Sequence, residues 1–161
     1  MAKHYRIMIT TNKLNADERT IGSIARRYFN LDAEPKIINP DEKINILLRL
    51  NFDKPSVNRD INNICDVIED IIKFSQDLNL AWNYVEIIET VTYEEVGAVA
   101  GGAVGGIGGY HATKNNLGTA ILLALGTMLG HLIGKNYEVV SKIVCKYMNY
   151  LGTPIIVAKN E

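Results

Sequence analysis

Eleven of the thirteen glycines lie between Val96 and Gly134, a 39-residue stretch with one formal charge, Lys114. Glycine costs roughly 1 kcal/mol against alanine at each interior helix position. A helix built here therefore needs a compensating contact. Gly97, Gly101, Gly105 and Gly109 recur every fourth residue, and Gly102 and Gly106 form a second row beside them. After a polar link, His111 to Asn116, the spacing returns at Gly126, Gly130 and Gly134. Positions four apart stack on one helix face. The spacing predicts two helices with side-chain-free strips, the first about 18 Å long. Thr92 and Glu95 read as a capping box that starts the first helix at Tyr93, with Val91 and Val96 as its hydrophobic staple.

The repeat resembles the glycine zipper of two-helix, membrane-spanning hairpins, over about 40 residues and at the level of the motif. The resemblance implies helices that approach backbone to backbone and self-associate in a bilayer. One hairpin has too few helices for a pore, so a channel or membrane-disrupting role requires a ring of copies. His111 and Lys114 would then line the pore mouth. The segments 96–110 and 117–134 reach about 22 and 27 Å as helices, short of a hydrocarbon core of about 30 Å. A soluble hairpin buried in a homo-oligomer therefore stands beside the membrane reading. Lys135, Lys142 and Lys146 follow the second segment, against Lys114 in the link. In a spanning hairpin that bias puts both termini in the cytoplasm.

The flanks are a different material. Residues 5–10 read as a strand, and Asn15 with Glu18 as a capping box. The helix that follows buries Ile21, Ile24, Ala25, Tyr28 and Phe29, with Arg26 and Arg27 in its last turn. Residues 36–39 and 43–51 flank Asn39-Pro40-Asp41-Glu42, which suits a type I turn. Ile44, Ile46, Leu48 and Leu50 alternate with Lys43, Asn45, Leu47, Arg49 and Asn51, a period-2 strand. Asp53 and Pro55 open a long helix whose apolar stripe runs Val57, Ile61, Ile64, Ile68, Ile71, Ile72, Leu78. Residues 83–89 complete a strand, helix, strand, strand, helix, strand order, the ferredoxin-like arrangement. After the hairpin, Tyr137, Val140, Ile143, Val144, Tyr147 and Leu151 keep a helical period. That predicts a helix returning from the insert, stopped by Gly152 and Pro154, then a final strand over 154–158.

Chemistry is sparse. A net charge of −1 and a pI near 6.3 argue against nucleic acid as partner. Cys65 and Cys145 have neither metal nor redox spacing, so inert packing in a reducing compartment is expected. The start MAKHYRIMITTNK holds no apolar run of signal-peptide length. Gly106 and Gly108 begin a GxGxxG pattern that His111 breaks. His4, His111 and His131 are scattered, and Ser23, Ser56, Ser75 and Ser141 lack a nucleophile context. Asp60, Asp66, Glu69, Asp70 and Asp77 read as a solvated face.

The sequence thus predicts an α+β chain in three parts. These are a ferredoxin-like βαββαβ domain (1–90), an inserted glycine-zipper helical hairpin (91–134), and a returning helix and final strand (135–161). No catalytic residue, metal or cofactor is expected. The function expected is a non-enzymatic, homo-oligomeric membrane protein with a cytoplasmic sensing or assembly domain, its partners being itself and the lipid bilayer. The alternative is a soluble, cytoplasmic structural or assembly protein, such as a shell, filament or virion component.

Overall fold

The computed structural model describes residues 2–39, 43–93 and 137–160. Along the chain run β1 (Ala2–Thr11), α1 (Glu18–Ala25), β2 (Lys36–Ile38), β3 (Ile44–Asn51), a 3-10 turn (Ile64–Val67), α2 (Ile68–Asp77), β4 (Trp82–Tyr93), β5 (Tyr137–Tyr150) and β6 (Thr153–Lys159). All six strands join one mostly antiparallel sheet in the order β2-β3-β1-β4-β5-β6. β2 pairs antiparallel with β3, Ile37 opposite Ile46, and β5 with β6, Tyr150 opposite Thr153.

The chain divides into two compact units. One comprises Tyr5–Ile87 and Val144–Glu161 and holds the hydrophobic core. Ile46, Leu48 and Leu50 of β3 alternate into the core, while their neighbours Asn45 and Leu47 are buried as well. With Ile7 and Ile9 of β1, Val85 and Ile87 of β4, and Cys145 and Tyr147 of β5, they meet Ile21 and Ala25 of α1 and Ile71 and Phe74 of α2. Phe29 and Phe74 pack edge to face, ring centroids 5.9 Å apart. The other unit comprises Met1–His4 and Ile88–Ile143. Among its described residues, Glu89 pairs with Lys3 at 3.9 Å and with Lys142 at 3.8 Å, and the Thr90 hydroxyl donates to the His4 carbonyl at 3.4 Å.

The expected ferredoxin-like domain with an inserted helical hairpin is overturned. The sheet has six strands rather than four, and the helices among the described residues are short, α1 of 8 residues and α2 of 10. The returning helix is instead the 14-residue strand β5. Its Tyr, Val and Ile content favours a pleated strand, and this preference outweighs the helical spacing of its apolar residues. Tyr93, the expected helix start, ends β4, and Thr92 lies within the same strand. No described helix is long and apolar enough to cross a membrane. The glycine-zipper, transmembrane-helix and helical-hairpin readings therefore fall. Gly97, Gly101, Gly102, Gly105, Gly106, Gly109, Gly126, Gly130 and Gly134, with His111 and Lys114, lie outside the described residues. So does most of the turn after Asn39.

Two helix starts also differ. Asp17, not Asn15, caps α1, its carboxylate accepting from the Thr20 N–H at 2.8 Å. Glu18 accepts from the Ile37 N–H at 3.0 Å, so its carboxylate serves β2 rather than a capping box. The long helix expected from Asp53 begins only at the 3-10 turn, where Asn63 accepts from the Cys65 N–H at 3.0 Å. Upstream of it, Asn30 donates to the Lys54 carbonyl at 2.8 Å and Asn51 accepts from the Lys54 N–H at 2.9 Å, fixing a loop instead.

Candidate assembly site at the terminal hairpin

The exposed large hydrophobic side chains among the described residues are Val57, Tyr150, Leu151, Ile155, Ile156 and Val157. Five of the six fall within eight consecutive residues, at the turn and first half of the β5–β6 hairpin. From Tyr147 to Ala158 the chain carries no charge. Scattered exposed apolar residues are ordinary, whereas a contiguous apolar patch marks a contact surface.

Local chemistry sets the hairpin. Tyr150 faces Thr153, so Leu151 and Gly152 form a two-residue loop. Their φ values are +52° and +87°, both left-handed, which is the turn geometry that matches strand twist. Asn149 fixes the turn to the sheet. Its side-chain N–H donates to the Trp82 carbonyl at 2.8 Å, and its side-chain oxygen accepts from the Gly152 N–H at 2.8 Å. Gly152 suits its position, since glycine enters the left-handed region without a Cβ penalty. Leu151 does not suit its position. It is 91% exposed and sits where asparagine, aspartate or glycine is favoured.

β6 is the last strand of the sheet. Pro154 has no N–H to offer. Lys146 faces Ala158 and Tyr147 faces Ile156, so Val157 is an extra, bulged residue on β6. Lys159 places a charge at the end of the strand.

The base of the hairpin is fastened to the 3-10 turn. Cys65 and Cys145 form a disulfide, Cα atoms 6.3 Å apart, contrary to the expected free and inert pair. Two residues further along β5, the Tyr147 hydroxyl donates to the Cys65 carbonyl at 3.2 Å. Burial, with Asp66 nearby, pushes the Tyr147 hydroxyl above its ordinary pKa.

Two polar clusters lie elsewhere in the same unit. Arg59 donates to Glu69 at 2.8 Å, to Asp70 at 2.9 Å and to the Asp66 carbonyl at 3.0 Å, and the Ser56 hydroxyl donates to Asp70 at 3.3 Å. Asp70 is therefore not part of a solvated acidic face; it is a buried anchor for the loop before α2. On β4, Glu86 is buried with Lys146 at 3.8 Å, and the Lys146 ammonium lies 4.8 Å from the Tyr84 ring centroid. Burial raises the Glu86 carboxyl above the usual carboxylate range, and Lys146 opposes that rise. The folded state therefore holds this proton more tightly than the unfolded one. Stability is expected to fall as pH rises from the ordinary glutamate pKa through the raised one, by up to about 1.4 kcal/mol per pH unit. Glu86→Gln removes that slope. Urea titrations at several pH values check this, and an unchanged slope in the variant rejects it.

No group of three or more histidine, cysteine, aspartate or glutamate side chains among the described residues can hold a metal. No protein family, curated protein or solved structure matches the chain.

Proposed function

We propose that this chain is a non-enzymatic structural protein that assembles with copies of itself through the β5–β6 hairpin. The supporting observation is the concentration of exposed apolar side chains, Tyr150, Leu151, Ile155, Ile156 and Val157, within the charge-free stretch 147–158. Leu151 adds to it. A branched residue held in the left-handed region costs of order 1–2 kcal/mol relative to glycine. Such an outlier is retained where the side chain is needed, and here the side chain points away from its own core. The contact proposed is between side chains, with Leu151 and Tyr150 as the anchors.

Light scattering across micromolar to millimolar concentrations tests the reading. Wild type is expected to self-associate, and Ile156→Lys to remain monomeric with an unchanged circular dichroism spectrum. Leu151→Asn gives a sharper result. It is expected to raise stability by about 1 kcal/mol, because asparagine tolerates the turn, while weakening association at least tenfold. A wild-type chain that stays monomeric throughout rejects the proposal. Flotation of that monomer with lipid vesicles would give the apolar hairpin a membrane surface instead.

A further inference from the structure

We infer that the thiol–disulfide state of Cys65 and Cys145 governs how firmly the assembly hairpin is presented. This rests on the assembly reading above and adds its regulation. The disulfide joins β5 to the 3-10 turn at Cys145, whose partner across the ladder is Lys159, the last residue of β6. The Tyr147 hydroxyl adds a second link to the same Cys65, two residues along. The Val157 bulge lies between the ladder pairs made by Lys146 and Tyr147. Both fastenings therefore flank the stretch of β5 that sets the register of β6.

β6 is held through β5, by their ladder and by the Asn160 N–H donating to the Val144 carbonyl at 2.8 Å. Pro154 and Ala158 are half-buried and every other β6 residue is exposed. Its position depends on β5, and β5 enters the core here through Val144, Cys145 and Tyr147. Cutting the cross-link leaves one hydroxyl hydrogen bond to the 3-10 turn. Weakly packed edge elements open first when such restraints are removed.

The chemistry is thiol–disulfide exchange with a dithiol. Cys65 is 5% exposed and Cys145 is 0% exposed, so the incoming thiolate attacks the Cys65 sulfur and the Cys145 thiolate leaves. The second thiol of the reagent then attacks the mixed disulfide. The Cys65–Cys145 bond breaks, two protonated thiols form in the protein, and the reagent ends as a cyclic disulfide. Two electrons pass from reagent to protein. Disulfides persist in oxidising surroundings, so the chain would acquire its assembly-competent form on reaching them.

The test is hydrogen exchange, read by mass spectrometry on the full chain, before and after treatment with dithiothreitol, with light scattering in parallel. At labelling times of seconds to minutes, too short for global opening to be sampled, reduction is expected to speed exchange in peptides covering residues 153–159 at least tenfold, to leave β1 and β3 protected although the whole chain is less stable, and to dissociate the oligomer. The Cys65→Ser, Cys145→Ser double variant should match the reduced protein without reagent. Unchanged exchange in β6 overturns the proposal. Uniform loss across β1, β3 and β6 also overturns it, because the bond would then serve global stability alone. An oxidised chain that is monomeric overturns the assembly reading, and the β6 exchange difference still decides whether the bond acts as a clamp.

Discussion

Removing the Cys65–Cys145 bond is expected to destabilise the chain by about 4–5 kcal/mol, the loss of loop-closure entropy for a bond of this span in the unfolded state. The two residues are 80 apart in sequence. Typical domains have only about 5–15 kcal/mol of total stability, so the loss is a large share of it. For a chain of this size the melting temperature should drop by roughly 10–15 °C. The measurement is urea unfolding of the oxidised protein against the Cys65→Ser, Cys145→Ser variant, each fitted with its own m-value, the variant's being larger because its unfolded chain is less compact. A difference under about 1 kcal/mol would mean that the unfolded chain gains little freedom when the bond is absent.

The second large effect lies at Asp70. Its carboxylate is buried, accepts from Arg59 at 2.9 Å and from Ser56 at 3.3 Å, and joins the loop before α2 to the helix itself. Asp70→Ala leaves the guanidinium without its buried partner. Breaking a buried pair from one side costs about 3–5 kcal/mol. The Arg59 side chain is 34% exposed and keeps Glu69 at 2.8 Å, so a loss near the lower end, about 3 kcal/mol, is expected. Asp70→Asn keeps an oxygen for Ser56 and should lose less. Denaturant midpoints rank the two variants, and equal losses would mean that the retained shape and oxygen of asparagine contribute nothing and the carboxylate charge carries the whole effect.

How much of this was legible beforehand differs by element. The period-2 spacing of Ile44, Ile46, Leu48 and Leu50 announced β3, because alternate strand residues share a face, but it did not show that Asn45 and Leu47 between them are buried too. The final strand was legible, but Gly152, expected to stop a helix, instead completes a hairpin turn, its left-handed angle suiting glycine in either role. β5 was misread. Its apolar residues fall at steps of three and four, yet Val139, Val140, Ile143 and Val144 are stiff side chains that suit a strand. The helix start at Asn15 failed because two residues of equal capping ability stand close together, and the hydrogen bond to Thr20 favours Asp17. Asp70 looked like any charge on a helical outer face; only the fold brings Arg59 and Ser56 to it. The disulfide was hidden in the same way, its partners 80 residues apart. The assembly hairpin was visible as a strand but not as a surface. Three successive apolar residues, Ile155 to Val157, usually indicate burial on both faces, and here neither face is covered.

The outer edge of β6 has one more consequence. At Pro154 a donor is missing, at Val157 the ladder is out of step, and at Lys159 a charge stands in the way. These are features that discourage endless strand-on-strand growth. A greasy segment at a sheet margin normally invites cross-β stacking. In this chain the side chains can stick while the backbone resists being copied, so clusters built on the hairpin should stay countable, dissolve on dilution, and leave amyloid dyes dark.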